Sequence, residues 1–208
     1  MHRRVAADVA DQSARPTLEI GPGTLNHLPF EPRTSPYDIV EPFTDLYADS
    51  VYRHRVRTTY HDIRQIPKGI FYQRILSIAT FEHVLDLPLV VARCGLLLAE
   101  GGRLRVGIPS EGGTLWLLAY RATTGYAFKR RYGLDYEVYL RHEHVNTALE
   151  IGDVLRCFFR RVDVRSLGVG HRWSFYQFLS CADPDRARCA AYWNELRGAL
   201  PGASDALS

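Results

Sequence analysis

Residues 18–28 read LEIGPGTLNHL. The run from Thr17 to Ile20 is apolar except for one acid, Glu19, and it meets Gly21-Pro22-Gly23 directly. A short apolar run closed by a Gly-Pro-Gly turn reads as a buried strand. Two glycines in three positions let the backbone turn sharply and let a ligand approach with no side chain in between. A regular helix cannot follow easily. The twelve residues from Thr24 to Ser35 contain Pro29 and Pro32, with Pro36 next, and proline interrupts a helix. The expectation is a single turn from Thr24 to Leu28, then irregular chain.

Working outward, residues 1–15 read as a short frayed or helical leader. YDIVEPF (37–43) is a second strand ending at Glu41-Pro42, and Thr44 is placed to cap a short helix in TDLYADS. VRTTY (56–60), RILSIAT (74–80) and RLRVGIP (103–109) give three more strands. Residues 83–99 carry apolar positions at helical spacing on more than one face, which suits a helix packed on a sheet. Pro88 either bends that helix or begins its regular part, and Glu100-Gly101-Gly102 is expected to close it. TALEIGDVLRCFF (147–159) is an amphipathic helix. RVDVRSLGV (161–169) and WSFYQFLS (173–180) read as a closing hairpin, and 184–198 as a final helix. Strands alternating with helices predict a mostly parallel sheet covered on both faces. Ligands of such sheets bind at the carboxyl ends of the strands, where strand order reverses.

A chain of 208 residues holds one sizeable domain and hardly two. The net charge of +3 is too small to argue for nucleic acid. No apolar run is long enough to span a bilayer, and MHRRVAADVADQSAR lacks the apolar segment of a secretory signal. Cys94, Cys157, Cys181 and Cys189 form no CxxC and match no zinc spacing. They read as reduced thiols, which points to the cytoplasm, and no metal site is expected.

Glu19 narrows the ligand. A carboxylate two residues before the first glycine is unwelcome beside a pyrophosphate and welcome beside a cation or N–H donors. Glu41 lies 22 residues further on, the spacing of an acid that accepts hydrogen bonds from ribose hydroxyls. Asp62 follows the third strand, where it can cap a helix, contact a ligand, or do both. Three acids along the carboxyl edge suit a ligand with a ribose, an exocyclic amine and a positive centre, and no phosphate. A nicotinamide-dependent oxidoreductase fits less well, because the third glycine of G-x-G-x-x-G would be Asn26.

From Thr17 to Pro109, and more loosely to Ser180, the sequence resembles the class I S-adenosylmethionine-dependent methyltransferases, in their small-molecule, type 11-like branch. LEIGPG looks like the first motif, E/D-x-G-x-G, and YDIVEP like the second, with Glu41 as the ribose acid. ILSIATFEHVLDLP resembles the strand-four motif with the helix start after it, and LLAEGGRLRVGIP the turn into strand five. The family's third glycine would fall at Leu25. The resemblance implies an α/β, Rossmann-like, seven-stranded and mostly parallel sheet with an antiparallel closing strand and helices on both faces. It implies S-adenosyl-L-methionine as cofactor, held by Glu19, Gly21, Pro22, Gly23, Thr24, Leu25, Glu41, Asp62, Ile63, Ala79, Thr80 and Phe81.

Methyl transfer to a hydroxyl or amine calls for alignment and often a base, and histidine is the first candidate. His83, just after strand four, and His144, in RHEHVNT, are the two considered; His83 could equally be a local helix-start residue, and Asn146 or Thr147 could cap the helix that follows. Residues 110–146 read as an insertion covering the substrate. Their aromatics interleave with cations, and Tyr126, Arg130, Arg131 and Tyr132 are candidate contacts to an anionic or saccharide acceptor such as a nucleotide-linked sugar, against the plainer reading of a local core and a solvated basic face. The Asn/Asp-Pro-Pro-aromatic motif of enzymes that methylate a flipped base is absent. A non-catalytic, methyltransferase-like binding subunit remains the alternative of a different class.

Overall fold

The computed structural model describes residues 2–9, 14–109, 145–169 and 173–199. Seven strands form one sheet: β1 (Thr17–Ile20), β2 (Tyr37–Val40), β3 (Thr58–Tyr60), β4 (Tyr72–Ile78), β5 (Leu98–Pro109), β6 (Phe159–Val169) and β7 (Trp173–Pro184). The order is β3-β2-β1-β4-β5-β7-β6. Strands β1 to β5 pair parallel, and β7 runs antiparallel to both its neighbours. Every residue of β1 and β2 is buried, as expected where both faces of a parallel sheet are covered. After β3 the chain crosses to the far side of β1, so strand order reverses between β1 and β4. The carboxyl ends there open the crevice in which such sheets bind ligands.

Among the described residues four helices accompany the sheet: α1 (His2–Val5), α2 (Leu87–Leu97), α3 (Ala148–Phe158) and α4 (Arg186–Ala199). One face is covered by the last three. Helix α2 packs against both α3 and α4, which explains its apolar residues on several sides. Helix α3 buries Ala148, Ile151, Leu155 and Phe158, one stripe at helical spacing. Its start is fixed by a capping box: Thr147 accepts from the Glu150 N–H while Glu150 accepts from the Thr147 N–H.

The other face carries shorter elements than the first. It is covered by α1, the turns at Leu28–Phe30, Thr44–Leu46 and Arg53–Arg55, and the chain between them. A second core forms there from Val5, Leu25, Leu28, Tyr37, Ile39, Tyr47, Val56, Leu76 and Ile78. The prolines that argued against a helix after β1 leave one 3-10 turn, with Pro29 in its first positions. Thr44 caps nothing, since the N-cap position falls on Phe43 and carries no side-chain cap bond.

Two boundaries also move. The helix predicted over 83–99 spans only Leu87–Leu97, so Pro88 begins its regular part rather than bending it. Glu100-Gly101-Gly102 does not close the helix, because β5 has already begun at Leu98. Gly101, at φ +69°, instead sits where the β4–β5 register slips between Tyr72↔Leu98 and Arg74↔Arg103, the signature of a bulge.

Candidate active site

Gly21 leaves β1 with its N–H on the Val40 carbonyl (2.9 Å), and its own carbonyl accepts from the Thr80 hydroxyl (3.0 Å). The turn after β1 is thereby fastened to β2 on one side and to the end of β4 on the other. Gly21 sits at φ +65° and Gly23 at φ +53°, a left-handed conformation that costs a side-chain-bearing residue about 1–2 kcal/mol. Around a Cβ placed on Gly23 there is nothing within 4 Å. The bare backbone there faces open space. Leu25 also adopts φ +66°. The chain therefore keeps a glycine-like backbone where the resemblance expects glycine, and burial of the Leu25 side chain in the second core (0% exposed) accompanies the strain.

Glu41 is the hub of the crevice. One carboxylate oxygen accepts from the Gly23 N–H and the other from the Phe43 N–H, both at 3.1 Å. The side chain is thus fixed across the ends of β1 and β2, and each oxygen retains a lone pair for a further donor. Asp62 accepts from the Arg64 N–H (2.7 Å) and caps the turn Ile63–Gln65. Around these acids lies a cavity of about 470 Å³, bounded by Gly21, Gly23, Glu41, Asp62, Ile63, Ala79, Thr80 and His83. Its apolar wall includes Phe43, Leu46, Val84 and Leu89.

Glu19 faces elsewhere. It points to the second face of the sheet, 2% exposed, and accepts from the Tyr37 hydroxyl (2.8 Å). Burial raises its pKa above the usual carboxylate value, against the opposing influence of His27 and of the Tyr37 bond. It borders an adjoining cavity of about 780 Å³, together with Pro22, Thr24 and Glu82. The two cavities share Gly21, Gly23, Ala79 and His83. The three acids therefore line two lobes of one cleft rather than a single ring.

Two residues expected at the cofactor point away from it. The side chains of Leu25 and Phe81 lie in the two cores. Phe81 contributes its carbonyl to another job. The Asn146 amide donates to the carbonyls of Phe81 (2.9 Å) and Val84 (2.6 Å), while the N–H groups of Val145 and Asn146 both reach the Glu82 carbonyl. These bonds staple the turn that carries Glu82 and His83. The sequence offered Asn146 or Thr147 as the cap of α3; Thr147 takes that role. His144, Tyr126, Arg130, Arg131 and Tyr132 lie outside the described residues.

The sequence reading missed the support beneath Glu19. Arg74, 1% exposed, reaches Glu31 at 2.5 and 3.1 Å and Asp8 at 3.0 and 3.1 Å. Glu31 also meets His27 at 2.8 Å, and His27 meets His2 at 3.2 Å. Burial by itself would raise the Glu31 pKa, yet the bonds from His27 and Arg74 hold it below the usual value. It also missed Glu82, buried and lining the same lobe as Glu19, and Phe43, 68% exposed where it borders the other lobe. An aromatic directly after Glu41-Pro42 was the available signal for Phe43. Nothing local announced Arg74.

Among the described residues no three His, Cys, Asp or Glu side chains are grouped to hold a metal ion, and none of their helices is long and apolar enough to cross a membrane.

No family model matches the chain, and no curated protein matches it. Solved structures do. An S-adenosylmethionine-dependent methyltransferase of Thermotoga maritima, described as a possible histamine N-methyltransferase, is similar with a TM-score of 0.59 and 16% identity over 87% of this chain and 86% of that one. The N-methyltransferase NodS of Bradyrhizobium japonicum, in complex with S-adenosyl-L-homocysteine, is similar with a TM-score of 0.59 and 15% identity over 88% and 86%. A putative methyltransferase of Bacillus halodurans has a TM-score of 0.53 and 12% identity over 86% and 96%. The fold is that of the class I S-adenosylmethionine-dependent methyltransferases.

Proposed function

We propose that this chain, built on the class I methyltransferase fold, is an enzyme that transfers a methyl group from S-adenosyl-L-methionine to a small-molecule acceptor. The observation that carries the reading is Glu41: a carboxylate just after β2, clamped by the Gly23 and Phe43 N–H groups beside the strand-order reversal, with acceptor capacity left over. The residues fit the cofactor. Glu41 would accept the ribose hydroxyls, and Asp62 with Ile63 would hold the adenine against Phe43 and Leu46. Backbone at Gly21 and Gly23 gives close approach, and Glu19 would face the α-ammonium. A cation there offsets the burial that holds Glu19's pKa up.

Bound there, the cofactor would supply an electrophilic methyl group to the acceptor's lone pair. The chain's part is alignment and exclusion of water, which can recover much of the barrier. His83, which borders both lobes, would take the proton released by a hydroxyl or amine acceptor, with His144 as a second contact on the acceptor side. We propose a saccharide or nucleotide-linked sugar as the acceptor class, an anionic molecule gripped by Tyr126, Arg130, Arg131 and Tyr132. Support for this is the interleaving of aromatic and basic residues in that stretch. Four free thiols support a cytoplasmic setting.

The test is equilibrium binding of S-adenosyl-L-homocysteine. Micromolar-range affinity that falls at least about tenfold in Glu41→Ala supports the reading, and no binding to the wild-type chain ends it. Transfer of labelled methyl to candidate acceptors then separates an enzyme from a binding subunit.

A further inference from the structure

A separate cavity of about 560 Å³ lies on the sheet's other half, and none of its lining residues borders the cleft. It is bordered by the leader and the second face of β5, β7 and β6. The register builds it. Arg105 on β5 pairs across to Ser180 on β7, which pairs on to Asp163 on β6; one step along, Phe178 on β7 pairs with Arg165 on β6. Arg103 stands on the same face as Arg105, two residues away, with its guanidinium 3.5 Å from the Ser180 hydroxyl. From above, Arg4 places its guanidinium carbon 5.8 Å from the Phe178 ring centroid.

The charges do not cancel. Four arginines and two aspartates line the cavity, an excess of two positive charges. One of those acids is committed elsewhere, since Asp8 accepts two hydrogen bonds from Arg74 and meets Arg105 only at 3.8 Å. Among the described residues neither Arg103 nor Arg165 makes an ion pair. Arg105 registers the crowding: burial disfavours its charge first, Asp8 opposes, and Arg74, Arg103 and Arg165 disfavour it further. A cluster of guanidiniums around a hydroxyl, over an aromatic ring, is a ready receptor for an oxyanion.

We propose that this cavity binds a phosphate-bearing small molecule, with Arg103, Arg105, Arg165 and Ser180 on the phosphoryl oxygens and the Phe178–Arg4 side against the group that carries them. A phosphoryl dianion matches the excess charge where a monocarboxylate does not, and the cavity is larger than one phosphate needs. This site is independent of the methyl-transfer reading.

The experiment is isothermal titration of the full chain with pyrophosphate and with inorganic phosphate at low ionic strength. Pyrophosphate is expected to bind more tightly than phosphate, and its affinity to fall with added chloride salt. Arg103→Ala with Arg165→Ala should weaken it at least about tenfold, leaving S-adenosyl-L-homocysteine binding and the melting temperature unchanged. Arg165→Ala alone, at an exposed position, should weaken it about threefold and serves if the double variant folds poorly. Absence of pyrophosphate binding at about millimolar concentration overturns the proposal, as does equal binding by the variants. A single-stranded DNA probe that binds more tightly than pyrophosphate and is lost in the same variants would overturn the small-molecule assignment.

Discussion

Replacing Gly21 with alanine tests the turn at its tightest point. Two penalties apply and can be separated. The first is conformational: at φ +65° a Cβ costs about 1–2 kcal/mol. The second is steric: that Cβ would lie 2.2 Å from Thr80 Cγ2 and 2.6 Å from Thr80 Oγ1, and overpacking of this kind costs about 1–3 kcal/mol. Gly21→Ala should therefore lose roughly 2–5 kcal/mol, a large share of the roughly 5–15 kcal/mol that holds a typical domain together. Gly23→Ala carries the first penalty alone, because its Cβ meets nothing within 4 Å; it should lose about 1–2 kcal/mol while narrowing the cleft. Thr80→Ala removes the two clashing atoms and one hydrogen bond to the Gly21 carbonyl, worth about 1 kcal/mol. Urea unfolding followed by tryptophan fluorescence on the two single variants and the double variant closes a cycle. The double variant should be less destabilised than the sum of the singles by roughly 1–2 kcal/mol. If Gly21→Ala proves as mild as Gly23→Ala, or if the cycle is additive, the close approach of β1 to Thr80 is not what makes glycine necessary there.

Arg74→Met should cost about 3–5 kcal/mol, since it strands Glu31 in the core without its main cation; chemical denaturation measures it. Because the folded-state pKa of Glu31 is depressed, the stability it contributes is present above its unfolded value and is lost as pH falls through the lower folded value. Glu31→Gln should flatten that acid limb in pH-dependent melting curves. Glu19 shifts the other way, its folded pKa being raised, so the ionised form that would pair with an ammonium fades as pH falls through that raised value. Affinity for S-adenosyl-L-homocysteine should rise with pH across it, and Glu19→Gln should remove both the dependence and part of the affinity in calorimetric titrations. Asn146→Ala should cost about 1–3 kcal/mol by leaving the Phe81 and Val84 carbonyls without the donor they share; methyl-transfer rates should fall more than cofactor affinity, because the turn it staples carries His83.

Elements whose cause lies within a few residues were legible in the chain. TLEI and YDIV are strands because buried, apolar tetrapeptides closed by Gly-Pro-Gly and Glu-Pro have little else to become. Helix α3 begins where Thr147 and Glu150, three apart, can cap each other. The shortened crossover after β1 followed from Pro29, Pro32 and Pro36. That Glu19, Glu41 and Asp62 border the cleft, unlike Glu82, was legible for the same reason, since strand ends are local and their order along the chain sets their order along the edge. Tertiary structure alone decided the rest. Glu19 turns to the second face because β1 alternates, and Tyr37 from the next strand meets it there. Leu25 takes a glycine's backbone with its side chain buried in a core that also holds residues of β2 and β4. Arg74 pairs with Glu31 and Asp8, and four arginines from the leader, β5 and β6 share one cavity, only because the sheet brings together residues far apart in sequence. Local preference is a property of near neighbours and can be read from them. Burial, charge pairing and the sharing of a cavity depend on which remote segments the fold makes adjacent, and no short window of sequence contains that information.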